Sequence, residues 1–318
     1  MPDKRPIMLV DGLNVYTRHF VANPSISDSG QQIGGVVGFL KGLQLLIDRF
    51  TPKEVHVIWE SGGSPRRRSI FPDYKSKRRP QKLNRYYGGD IPDTVENRNY
   101  QITLIIELLK KTPINQVYVS DCEADDVIGY LAKYRYNDNN TVIISSDKDF
   151  YQLISESILQ WSPGQKRCIT AELVQERFHV SVNNFCITRC FVGDISDGIP
   201  GIKGAGFKTM AKRFPELKSE EKVSMDKIFT LSQKRSEANN IKLFKLINEN
   251  SHIIRRNWKL MYLDTQNLAA IQIQKIDAKI NTFSPSYNKI DLMRILLREG
   301  LKNFNADMFF MSLNSVLR

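Results

Sequence analysis

The sequence has little of what usually binds metals through sulfur or nitrogen. Its 318 residues include only four cysteines and four histidines. Cys122, Cys168, Cys186 and Cys190 form no Cys-x-x-Cys pair, and no histidine stands at zinc spacing from them. Cys186 and Cys190 can share a helix face, but His179 alone does not complete a site. The pattern reads as free buried thiols in a reducing compartment. The histidines are scattered and read as structural. No apolar run approaches the length of a membrane span, so no membrane partner is expected. The first apolar run is short and ends at Asp11, which reads as a buried strand and not as a secretory signal. No internal repeat is present. Acidic residues are outnumbered 34 to 46, for a net charge of +12, which points to a polyanionic partner.

What the sequence does have is carboxylates at the ends of apolar strands. Ile7–Val10 leads to Asp11, and Val55–Trp59 leads to Glu60. Gln116–Val119 precedes Glu123, Asp125 and Asp126. Thr141–Ser145 precedes Asp147 and Asp149. Strands alternate with helical patterns through this half, which predicts an α/β fold with a mainly parallel sheet covered on both faces. In such a sheet the carboxyl ends of the strands share one edge, where ligands bind. Acids gathered there repel one another and raise each other's pKa. A divalent ion with all-oxygen ligands, Mg²⁺ or Mn²⁺, relieves that repulsion. Asp194 and Asp197 add two more carboxylates from a glycine-containing loop. Any one of these acids alone reads as a helix cap or a solvated side chain. The set reads as a metal site.

Between Arg66 and Arg85 nine basic residues stand against one acid, Asp73, with Phe71, Tyr74, Tyr86 and Tyr87 close by. Arg67, Lys75, Arg78 and Arg79 belong to this run. It reads as a partly helical excursion above the carboxylate edge, over about 66–92. Basic side chains follow a phosphate backbone and aromatic rings stack bases of a single strand.

The second half reads as mainly helical. Gly201, Gly204 and Gly206 permit a tight connection between helices at 183–192 and 207–214, and they let phosphate approach the amides of the second helix. Lys203, Lys208 and Lys212 reinforce that attraction. Lys218–Asn240 reads as a polar connection, Ile241–Leu263 as one helix that can run into a strand, and 290–301 and 307–317 as closing helices.

These motifs together resemble the flap-endonuclease, or 5′-nuclease, family, with a size like that of its stand-alone bacteriophage-type members. The resemblance rests on Val10-Asp11-Gly12, the spaced set Glu60/Arg67/Tyr74-Lys75/Arg78, Glu123-Ala124-Asp125-Asp126, Ser146-Asp147-Lys148-Asp149, and the run from Gly193-Asp194 through Asp197, Gly201, Gly204 and Gly206 to Lys208-Thr209. It implies a PIN-like nuclease domain over 1–182 with a helical arch. A helical DNA-binding domain over 183–318 follows, with a helix–three-turn–helix at about 185–214. It implies two metal ions. One lies among Asp11, Glu60, Glu123, Asp125 and Asp147, and the other involves Asp126, Asp149, Asp194 and Asp197, some through water. It further implies that Lys75 and Arg78 engage the scissile phosphate, that Tyr74 stacks a base, and that the glycine hairpin binds K⁺ while gripping duplex. The chain departs from the family at Glu60, where aspartate is usual. The implied activity is a structure-specific 5′ nuclease of replication and repair, acting on flaps, nicks and 5′ overhangs of DNA and on RNA·DNA hybrids in the manner of an RNase H. The implied protein is a cytoplasmic monomer at replicating DNA, in the host cytoplasm if phage-encoded, with a single-strand-binding protein or clamp as possible company. A silent junction-binding protein and a PIN-type ribonuclease are the alternatives.

Overall fold

The computed structural model describes residues 5–60, 62–77, 95–238, 241–301 and 304–317. Its strands are β1 (Ile7–Asp11), β2 (Glu54–Trp59), β3 (Asn115–Tyr118), β4 (Thr141–Ile144), β5 (Ile158–Ser162) and β6 (Arg167–Ile169). They form one sheet in the order β3-β2-β1-β4-β5-β6, parallel throughout except that β6 runs antiparallel to β5. β1 lies in the middle, with Val10 paired to Val57 of β2 and to Ile144 of β4. That register brings Asp11, the end of β2 and the end of β4 to one edge.

The helices are α1 (Gly12–Ala22), α2 (Gly34–Phe50), α3 (Pro65–Ile70), α4 (Val95–Leu109), α5 (Ala124–Tyr130), α6 (Ala171–Phe178), α7 (Phe185–Val192), α8 (Phe207–Arg213), α9 (Met225–Ala238), α10 (Lys242–Glu249), α11 (Ser251–Met261), α12 (Ala270–Asn281), α13 (Lys289–Arg298) and α14 (Ala306–Leu313). Successive strand residues face opposite sides, and β1 shows how both sides are covered. Met8 and Val10 pack with α1, α2, α4 and the last two helices. Ile7 and Leu9 pack with α5, Leu263, Leu268 and Ile276 of α12. A third core joins α6 through α11 around Phe185, Phe191, Phe214 and Ile254, and reaches back to Tyr74 and Tyr151. After α11 the chain therefore returns to the sheet: Ile276 packs with Val117 of β3, and Phe309 and Phe310 with the core that holds α2.

Two expectations for the second half change. Lys218–Asn240 is not a plain connection, because Met225–Ala238 is helical. Its buried residues are few, Ile228 and Ser232, so its sequence is polar although one edge packs against α10. Ile241–Leu263 is two helices, broken at Asn250, and an extended Tyr262 follows them where a strand was considered. In the first half, α5 gives way after Tyr130 to a π-helix over Leu131–Arg135. The excursion at 66–92 is described only to Lys77. That part is the short helix α3, begun by Ser64 and Pro65, followed by turns.

One buried side chain ties the second half together. Asn257 of α11 is fully buried and donates from Nδ2 to Cys190 O on α7 (2.9 Å) and to Pro200 O in the glycine loop (2.8 Å). Asn257→Ala strands both carbonyls in the interior. The expected loss is about 2 kcal/mol of unfolding free energy, measured by urea denaturation. A loss near zero shows that water or a rearranged loop serves these carbonyls equally well.

Candidate metal centre

The strand-end acids converge as the topology requires. Asp11 ends β1 and caps α1 by accepting from Asn14 N (3.1 Å), and its other oxygen accepts from Ser145 Oγ (3.0 Å). Glu123, Asp125 and Asp126 stand at the start of α5, and Asp147 precedes Asp149 across a turn in which Asp147 accepts from Asp149 N (2.9 Å). Asp149, Asp194 and Asp197 each bring an oxygen to within 4.8 Å of the others. Asp194 and Asp197 reach the edge on a small hairpin closed by the mutual Asp194–Ile199 backbone bonds. Glycine is required at its base. A Cβ on Gly201 would lie 2.0 Å from Val192 O, and Gly193 has φ +81 with Gly201 N against it.

Two arginines lie among the acids. Arg67, only 1% exposed, donates to Glu123 (2.8 Å), to Asp125 (3.3 Å) and through two nitrogens to Asp126 (both 2.8 Å), while its Nε binds Leu260 O (2.9 Å). Arg189 on α7 stands between Asp149 and Asp194, with Nε 2.9 Å from Asp149 Oδ1 and Nη2 bonded to Asp194 Oδ2. Glu123 Oε2 also accepts from Tyr74 OH (2.9 Å) and Lys75 Nζ (2.6 Å). Lys75 adopts left-handed backbone (φ 57) and donates its N–H to Asp197 O (2.9 Å), which joins the foot of the excursion to the glycine hairpin.

The roles expected from sequence shift accordingly. Arg67 and Tyr74 were expected to contact DNA, but both are buried and bind Glu123. Asp126 was grouped with Asp149, Asp194 and Asp197. Instead its oxygens are taken by Arg67 and by Asn267 Nδ2 (2.9 Å), on the Glu123 side. Arg78 and Arg79 lie outside the described residues. Gly201, Lys203, Gly204, Gly206 and Lys208 are exposed on the loop before and into α8, with Thr209 half-buried beside them. Sequence reasoning missed Arg189 and Asn267. Arg189 reads on its own as a cation in the last turn of a helix, and Asn267 gives no signal.

Burial, reinforced by the charges of Asp147 and Glu60 against the Asn14 and Ser145 hydrogen bonds, pushes Asp11 up to about 7. Burial also pushes Asp126 up to about 7 although Arg67 opposes it. Burial raises Asp147 and Asp149 as well. For Asp194 burial works the other way from the net result, because Arg189 and Ser196 hold its carboxyl below the usual range. Lys75 is raised because Glu123, Asp125 and Asp197 outweigh its burial. Among the described residues, Glu123 Oε1 is buried with no hydrogen-bond partner and Asp149 Oδ1 makes no hydrogen bond despite the nearby arginine. Oxygen donors at this density, two of them orphaned, fit a hard divalent cation.

An acid with a folded-state pKa above its unfolded value favours the fold only while protonated. Its contribution is lost as pH rises from the unfolded value of about 4 through about 7. In EDTA the melting temperature should therefore fall between roughly pH 5 and pH 8. Added Mg²⁺ should restore more of it at the higher pH, and Asp11→Asn should flatten the metal-free slope. Scanning calorimetry at both pH values checks this, and an equal Mg²⁺ effect at both would contradict it.

Residues 6–179 match the family described as "5′-3′ exonuclease, N-terminal resolvase-like domain". The chain is 33% identical over 221 residues to a 5′-3′ exonuclease of Aquifex aeolicus, covering 69% of this chain and 72% of that one. It is 28% identical over 288 residues to a 5′-3′ exonuclease of Buchnera aphidicola, covering 88% and 90%. Its fold is shared with the bacteriophage T5 flap endonuclease in a pseudo-enzyme–product complex with DNA and metal ions, at TM-score 0.69 and 20% identity over 92% of this chain and 99% of that one. With the carboxylate edge that the geometry assembles, this makes the chain a member of the 5′-3′ exonuclease family and a metal-dependent nuclease.

Proposed function

We propose that this nuclease hydrolyses phosphodiesters of DNA near junctions between single and double strands, as a flap endonuclease and 5′-3′ exonuclease. The observation that carries this reading is continuity. The loop that supplies Asp194 and Asp197 runs on through Gly201, Gly204 and Gly206 into α8, with Lys203, Lys208 and Lys212 exposed. A duplex backbone held by that stretch has its end beside the carboxylates. Lys75, anchored to Asp197 O on the same loop, would meet the single strand in this reading.

Divalent ions bound by the acids would supply Lewis acidity and a water nucleophilic at neutral pH. Asp11, Asp125, Asp147 and Asp149 fit as their holders, with Glu123 contributing Oε1. Glu60, half-buried at the end of β2, adds its charge to theirs. Arg67 and Asn267 hold Asp126 and so orient the start of α5. Lys75 stays protonated and can leave Glu123 for a phosphoryl oxygen on which charge builds. Two ions, Mg²⁺ or Mn²⁺, K⁺ at the glycine hairpin, RNA·DNA hybrids as further substrates, and a division of labour between 1–182 and 183–318 are finer parts of the proposal. They rest on family likeness.

Cleavage of a 5′-labelled flap on a duplex, in Mg²⁺ and in EDTA, tests it. Wild-type protein should cut near the junction only with metal. Asp147→Asn should abolish cutting and retain duplex binding, and Lys75→Ala should lower kcat by about a hundredfold with little change in KM. Metal-dependent cutting confined to single-stranded RNA would favour a ribonuclease instead.

A further inference from the structure

The two arginines in the acidic cluster are held in different ways. Arg67 is 1% exposed, its Nε is anchored on a backbone carbonyl of α11, and it makes aligned hydrogen bonds to three carboxylates. Arg189 is 9% exposed and touches two. One of its contacts is an ion pair without a hydrogen bond: Nε and Asp149 Oδ1 are 2.9 Å apart, buried, and both lack a hydrogen-bond partner. Asp194 is engaged at both oxygens, Oδ2 by Arg189 and Oδ1 by Ser196 N (2.9 Å) and Ser196 Oγ (2.6 Å). Asp149, Asp194 and Asp197 are also the three acids whose oxygens lie close enough for one ion.

We propose that Arg189 is a displaceable resident cation of the Asp149–Asp194–Asp197 group, and that divalent metal binds there in competition with it. This rests on the metal-dependent reading above. A positive guanidinium and a divalent ion repel each other across the few ångströms of this group, and they draw on the same carboxylates, Asp149 and Asp194. The chain thus satisfies the carboxylates without metal and weakens its own affinity for the ion that belongs there. The coupling is reciprocal: metal loosens Arg189, and removing Arg189 tightens metal. Arg67 cannot take this part, because its anchor on Leu260 O and its bidentate grip on Asp126 fix it. Arg189 is then a positioning residue that sets the metal concentration at which the second group fills.

Mn²⁺ titration of the full chain, with free ion followed by electron paramagnetic resonance, tests this without any turnover. Arg189→Met keeps length and volume and removes charge. Its weaker Mn²⁺ step should tighten at least about tenfold, the affinity equivalent of about 1.4 kcal/mol. Its melting temperature in EDTA should fall below wild type and recover with Mn²⁺. A folded Arg189→Met with unchanged or weaker Mn²⁺ affinity overturns the proposal. If that variant does not fold in EDTA, Arg189→Lys decides. A single ammonium cannot hold both acids, so a tightened weak step supports the displacement and an unchanged or weaker one overturns it. Wild-type protein that binds no Mn²⁺ would sink the metal-dependent reading itself, whereas two wild-type steps with no tightening in the variants sink only the role given to Arg189.

Discussion

Mutual repulsion among carboxylates at one sheet edge is the constraint on which the rest of this structure depends, and the Arg67 guanidinium is the principal answer to it. A parallel sheet in this register cannot keep Asp11, Glu123, Asp125, Asp126, Asp147 and Asp149 apart. Left unpaired, buried ionised acids cost several kcal/mol each. Arg67 spans three of them and is itself buried, so it would be equally costly without them. Each side of the pairing exists because of the other. The short helix α3 serves mainly to carry this side chain inward, with Ser64 accepting from Arg67 N (3.2 Å) at its start.

The neutralisation is incomplete and graded. On the Glu123 side it is tight: Arg67, Tyr74, Lys75 and Asn267 saturate all but Glu123 Oε1 and part of Asp125. Toward Asp147 and Asp149 it thins, among the described residues, to Arg189, and the hydrogen bonds to Asp11 come from the neutral Asn14 N and Ser145 Oγ. Burial raises Asp11 and Asp149, and it raises Asp126 as well although Arg67 grips both of its oxygens. A site built this way stores electrostatic cost in its metal-free form and releases it when cations arrive. That is the condition under which binding energy from an ion becomes folding energy.

Most of the acid set was legible in the sequence, because an apolar strand followed by a carboxylate is a local pattern and parallel topology turns local patterns into one place. The mainly parallel sheet was equally plain from the alternation of strands with helical patterns. The basic residues were misjudged for a physical reason. A run such as Arg66–Arg68 looks alike whether a member faces solvent or carboxylate, since charge says what a partner must be and not on which side it lies. Arg67 therefore read as a DNA contact and Asp126 as a ligand of the other metal group. The polar helix α9 gives little signal because only Ile228 and Ser232 are buried along it, whereas the break at Asn250 lies between two amphipathic helices that together read as one. Glu60, the one departure from the family pattern, keeps its charge in reach of Asp11 and Lys75, since both are raised by it. The extra methylene has not removed it from the cluster.

The stretch from α11 onward connects these local facts to the whole molecule. Within a few residues it offers Leu260 O to Arg67, Met261 O and Leu263 N to Gln152 beside Asp149, and Asn267 to Asp126. The same helix holds α7 and the glycine loop through Asn257. A pull on the loop before α8 is therefore passed through Asn257 to the helix whose end binds Arg67 and leads to Asn267 beside Asp126. α11 follows the polar helix α9 and the amphipathic α10, and its own apolar face advertises packing but not its bonds to the residues around the carboxylates. Those bonds arise because α11 buries one face against α7, which brings the end of the helix to Arg67 and Gln152 at the carboxylate edge.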